Sequence, residues 1–84
     1  MFQKYEQIKL AAKLLHLSEV EVDEYGDNIS DIGALYVSIP EKGGASIIIG
    51  NDGTVLYADS SVGYSRHLHE FNTGRRTPLE EFEQ

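Results

Sequence analysis

The chain has 84 residues, no cysteine, and fourteen acidic against seven basic side chains, for a net charge of -7. Its 40% apolar content suits one folded domain over residues 1–84 rather than a disordered chain. These figures exclude a disulfide framework or thiolate zinc site within the sequence, and they argue against unaided binding to nucleic acid or anionic lipid.

No apolar run approaches the about 20 residues of a membrane span, and the charged N-terminus does not read as a secretory leader. A cytoplasmic location is the expectation. The acidity is concentrated. Between Leu14 and Glu41 lie Glu19, Glu21, Asp23, Glu24, Asp27, Asp31 and Glu41 with no Lys or Arg, so this third of the chain carries the whole net charge.

Phe2 to His16 predicts an amphipathic helix, with Tyr5, Ile8, Ala12 and Leu15 on one stripe beside Ala11 and Leu14. Lys4, Lys9 and Lys13 fall largely on the other side. Ser18 to Tyr25 supports two readings. Ser18 with Glu21 makes a capping box, whereas Val20 and Val22 among acids alternate like a strand. A Leu17–Val22 staple favours a short helix ending near Tyr25–Gly26, with Asp27 to Asp31 as loop.

Gly33 to Ile39 alternates as a strand, with Leu35, Val37 and Ile39 on one face and Ala34, Tyr36 and Ser38 on the other. Residues 40–44 turn the chain into a hairpin whose strands, rich in Ile47, Ile48, Ile49, Val55 and Tyr57, flank Asn51-Asp52-Gly53. Gly53 supplies the positive φ of a three-residue turn closed by a bulge. Next, Ser60 and Ser61 offer N-cap hydroxyls to a helix from Val62 to about Thr73, with Gly74 as its C-terminal stop. Thr77-Pro78-Leu79-Glu80 combines an N-cap, a proline at the first helical position and a capping-box Glu, so a final turn of helix should hold Leu79 and Phe82.

The expected fold is therefore α+β: a three-stranded antiparallel β-meander with the N-terminal and C-terminal helices packed on one face. The order is α-β-β-β-α, plus short helical turns. Exposed edges in so short a meander make a homodimer plausible.

Among candidate sites, His67 and His69 stand two apart and cannot share a metal from one helix face. The acids at Asp23, Asp27 and Asp31 lack the alternating spacing of a calcium loop. No metal or cofactor is expected. Asp59, Ser60, His67, Arg75 and Arg76 form the alternative cluster, for a small enzyme or an anion-binding module. Arg75 and Arg76 have a simpler role in complementing a helix C-terminus or pairing with Glu80, Glu81 or the acidic segment. Tyr25, ringed by Asp23, Glu24 and Asp27, suits an aromatic anchor for docking onto a basic protein.

The blocks Gly43-Gly44-Ala45-Ser46-Ile47-Ile48-Ile49, Asp52-Gly53-Thr54-Val55-Leu56-Tyr57-Ala58, Ser60-Ser61-Val62 and Phe71-Asn72-Thr73-Gly74-Arg75-Arg76-Thr77-Pro78 carry a resemblance over the second half of the chain. They resemble the core of small acidic immunity proteins of bacterial polymorphic toxin systems. That resemblance implies a non-enzymatic inhibitor of a toxin or nuclease domain. The expected partner surface is Glu19, Glu21, Asp23, Glu24, Tyr25, Asp27 and Asp31. A structural or regulatory homo-oligomer without ligand is the remaining alternative.

Overall fold

Ile47, Ile48 and Ile49 are all fully buried, and this run determines the layering, because neighbouring strand residues point to opposite faces. The computed structural model describes residues 3–39, 45–59 and 61–83. Its elements are α1 (Lys4–Leu15), α2 (Glu19–Tyr25), β1 (Gly26–Ile29), β2 (Ala34–Ile39), β3 (Ala45–Ile49), β4 (Val55–Ala58), α3 (Tyr64–Asn72) and a terminal 3-10 helix (Leu79–Glu83). The strands form one antiparallel sheet in the order β1-β2-β3-β4.

The α+β class and the meander are as expected, but the described residues form four strands rather than three. Residues expected as loop form β1, whose Asp27 and Asn28 pair with Tyr36 and Leu35. Asp, Asn and Gly are poor strand formers, so local propensity hides this strand; pairing with apolar β2 supplies what propensity lacks.

The helices also depart from expectation: they occupy opposite faces of the sheet. Ala11, Leu15 and Val22 of α1 and α2 pack with Leu35, Val37, Ile39, Ile47, Ile49 and Val55. Phe71 of α3, with Leu68, packs with Ala34, Ile48, Tyr36, Leu56 and Ile29 on the other face. One covered face would have left Ile48 in water, at a cost of about 1.5–3 kcal/mol for a side chain of that size.

Within α1 the stripe is rotated from the expected one. Tyr5 is exposed, and the buried line is Gln7, Ala11 and Leu15. Gln7 Nε2 donates to Gly33 O at 2.9 Å and Ile49 O at 3.1 Å, so a buried amide ties the helix to the ends of β2 and β3.

In α2 the capping box forms, with the Glu21 amide donating to Ser18 Oγ at 3.2 Å and the Ser18 amide donating to Glu21 Oε1 at 3.0 Å. Gly26 then lets the chain enter β1 directly. A Cβ there would stand 2.7 Å from Val22 O, so a larger residue would push α2 off the sheet.

The Asn51–Gly53 turn closes as expected, with Gly53 at φ 82° and the Gly50 amide donating to Thr54 O at 2.8 Å. α3 starts later than expected, with Gly63 as its N-cap. Ser61 donates its amide and hydroxyl to Asp59 Oδ1, a local turn that competes with capping, and Ser60 lies outside the described residues. The C-terminus of α3 matches expectation. Gly74 at φ 100° permits amide donation from Gly74 to Phe71 O and from Arg75 to Glu70 O, the paired bonds of a Schellman stop.

Thr77 is not a simple N-cap. Its amide donates to Val55 O at 2.8 Å and its Oγ1 accepts from the Tyr57 amide at 2.9 Å, so it closes the outer edge of β4. The expected final turn holds both Leu79 and Phe82, as a 3-10 helix; Phe82 packs on the α1 core and Leu79 is exposed.

Candidate functional site

Two regions gather the polar side chains singled out from sequence, and they lie at opposite edges of the sheet. The first is the margin formed by α2, β1 and the turn that follows. Val22 points into the core, so a helix places Val20 outward, where it is 76% exposed. Asp23 and Glu24 follow Val20 by three and four residues, and so border it on the helix surface next to Glu19. Val20 had not been assigned to the site; its position two residues before the inward Val22 is the signal that marks it.

The seven predicted partner residues are not equivalent. Glu19, Asp23, Glu24, Asp27 and Asp31 are exposed. Glu21 is held in the capping box, and Tyr25 is half-buried against the α1 core. Tyr25 is therefore a packing residue first, and the exposed apolar group on this margin is Val20. Asp27 pairs across the ladder with Tyr36, which belongs to the α3 face, whereas α2 packs on the other face. The acids thus wrap around the β1 edge instead of forming one flat face.

Among the described residues the one ion pair joins Arg75 Nη1 and Glu70 Oε1 at 3.4 Å. Among the described residues, neither arginine after α3 pairs with Glu80, Glu81 or the acidic segment. Arg76 stacks on the Phe71 ring at 3.7 Å and donates to Phe71 O, Arg75 O and Thr54 Oγ1. Thr54 in turn donates its amide and hydroxyl to Asp52 Oδ1. The Thr54 hydroxyl first, then its amide, and less strongly the Arg76 charge, hold the Asp52 carboxyl below the usual carboxylate range.

The second region is a cleft of about 270 Å³ between β4 and α3. Asp59, Arg66, His67, Glu70 and Arg75 contribute to its walls over an apolar base of Leu56, Ala58 and Val62. It brings together three of the five residues of the alternative cluster. Arg76 is not among its lining residues, and Ser60 is undescribed. The Ser61 hydroxyl and amide hold the exposed Asp59 carboxyl below its ordinary value.

His67 is 1% exposed, and both ring nitrogens are engaged. Nε2 lies 2.8 Å from Leu56 O, which can only accept, so Nε2 carries the proton. Nδ1 then accepts from Ser46 Oγ at 3.0 Å. Burial pushes the imidazole below its ordinary pKa, against a smaller opposing effect of the Leu56 carbonyl. A histidine with both nitrogens bound to the sheet holds α3 in place and has no nitrogen left for a substrate.

His69, unlike His67, is exposed, and among the described residues no group of three or more His, Asp or Glu side chains is arranged to hold a metal. No helix among these residues is long and apolar enough to cross a membrane. Comparison with protein-family models, curated proteins and solved structures found no match to this chain.

Proposed function

We propose that the chain is a non-enzymatic protein-binding domain whose α2–β1 margin docks on a basic surface of another protein. The observation that carries this reading is the exposed Val20 bordered by Glu19, Asp23 and Glu24, continued by Asp27 on β1 and Asp31 in the turn that follows. An apolar contact within a field of one sign combines burial with steering of an oppositely charged partner. In its most concrete form, the partner is a basic toxin or nuclease domain and the chain is its immunity-type inhibitor. The second-half resemblance supports that form.

The test compares the wild-type chain with a variant carrying Glu19→Gln, Asp23→Asn, Glu24→Gln, Asp27→Asn and Asp31→Asn. Partners captured from the source cell are measured against both at low and high salt. The variant should bind at least about tenfold more weakly, with a flatter salt dependence. Equal affinity and equal salt dependence for the two would refute the assignment.

The β4–α3 cleft supports a second reading as a small-ligand module, because it gathers Asp59, Arg66 and Arg75 around an apolar base. It is the weaker reading: Arg75 is paired with Glu70 and His67 is bound into the sheet.

A further inference from the structure

We infer that β1 is a docking edge, to which an extended partner segment with a basic and an apolar side chain two residues apart adds as a fifth strand. This deepens the proposed function by naming how the basic partner binds, and it rests on that reading.

The two edges of the sheet are finished differently. At β4, Thr77 engages Val55 O and the Tyr57 amide, so an incoming strand would have to displace it. At β1, among the described residues, the only backbone hydrogen bond beyond the ladder to β2 is the Ile32 amide donating to Ile29 O in the turn. An open strand edge is a template for main-chain pairing with another chain.

The side chains along that edge specify the occupant. The register places Asp27 opposite Tyr36 and Ile29 opposite Ala34, so Asp27 and Ile29 project on the α3 side of the sheet. α3 packs on β3 and β4 and reaches β2 through Tyr64, whose ring meets Tyr36 edge-on at 4.8 Å, so the β1 side chains form the margin of this face. A residue added beside Asp27 gains from a positive charge, and one beside the half-buried Ile29 gains from an apolar side chain. On the other side, Gly26 lies against Val22 of α2 and Asn28 shares a groove with Gln3, Lys4 and Gln7 at the start of α1, where a small polar side chain fits. The partner strand therefore reads basic facing Asp27, small facing Asn28 and apolar facing Ile29.

A second copy of this chain is the wrong occupant. Pairing β1 with β1 would bring two acidic segments together, and a charged residue on an edge strand acts against such self-pairing. A basic strand instead meets Asp23 and Glu24 at one end of β1, Asp27 along it and Asp31 in the turn at the other, where the strand itself spans roughly 10 Å at about 3.3 Å per residue.

The test uses the full chain, ¹⁵N-labelled, and three synthetic probes. These are acetyl-Ser-Lys-Thr-Val-Thr-Lys-Ser-amide, the same peptide with Glu for Lys, and the Lys peptide N-methylated at alternate residues on its pairing edge. The Lys peptide at millimolar concentration should shift the amides of Gly26–Ile29 and slow exchange of those facing outward. The Glu and N-methylated peptides should not. Asp27→Lys, an exposed substitution, should weaken the Lys peptide by about tenfold or more. Equal shifts with the N-methylated peptide would overturn strand addition while leaving the charge-based docking intact. Absence of any shift in β1 with the Lys peptide, or equal binding of the Glu peptide, would overturn it as well. Failure of the proposed function shows separately, as unchanged partner binding by the neutralised variant.

Discussion

A buried imidazole is stable only when both nitrogens find partners, and His67 meets that condition through Leu56 O and Ser46 Oγ. A proton added to Nδ1 would remove the acceptor that Ser46 donates to, inside a region that also penalises charge. The folded state therefore holds His67 neutral below its ordinary value of 6.5, while the unfolded chain binds a proton there. The stability contribution is complete above that value and is lost as pH falls below it, with a slope of up to about 1.4 kcal/mol per pH unit for one proton. Urea midpoints of the wild type should fall between pH 7.5 and 5, and those of His67→Gln should change less over the same range. The lowered carboxyls of Asp52 and Asp59 act only below this window. Equal acid dependence in the two proteins would remove His67 from this role. The acidic residues show why such distinctions escape a linear reading: Glu21 and Asp23 are alike in composition, yet the first closes a helix cap and the second is exposed.

At the scale of elements, legibility followed local physics. The α1 region, the capping box at Ser18, the hairpin turn at Gly53 and the Gly74 stop are short-range features, and each is present. β1 was illegible because Asp27 and Asn28 form a strand only when β2 lies beside them. The opposite placement of α3 had a signal, the unbroken Ile47-Ile48-Ile49 run, since a strand with one wet face alternates. The edge role of Thr77 was illegible for a related reason: Thr-Pro before acids suits a helix start, but the hydroxyl reaches the β4 edge 20 residues away in sequence. Thr77→Val keeps the shape and the amide donor while deleting that acceptor. It should cost about 1 kcal/mol and speed exchange of the Tyr57 amide, leaving the Ile48 amide protected. Unchanged exchange at Tyr57 would mean that the edge closure contributes nothing.

Across the whole molecule, the strand order turns an uneven sequence charge into a spatial separation. The acids from Glu19 to Asp31 border β1, whereas Arg66 and Arg75 border β4 at the opposite edge. Three strand spacings of about 4.8 Å put roughly 14 Å between those edges. That exceeds the Debye length of about 8 Å at physiological salt, so the arginines leave the acidic margin unneutralised. The proposed docking of this margin on a basic partner rests on that separation, and it is the central claim. Mapping backbone amide shifts of the labelled chain on addition of its captured partner tests this most directly. Shifts concentrated from Glu19 to Asp31 are the predicted result, and shifts confined to Asp59, Arg66 and Arg75 around the β4–α3 cleft would contradict it.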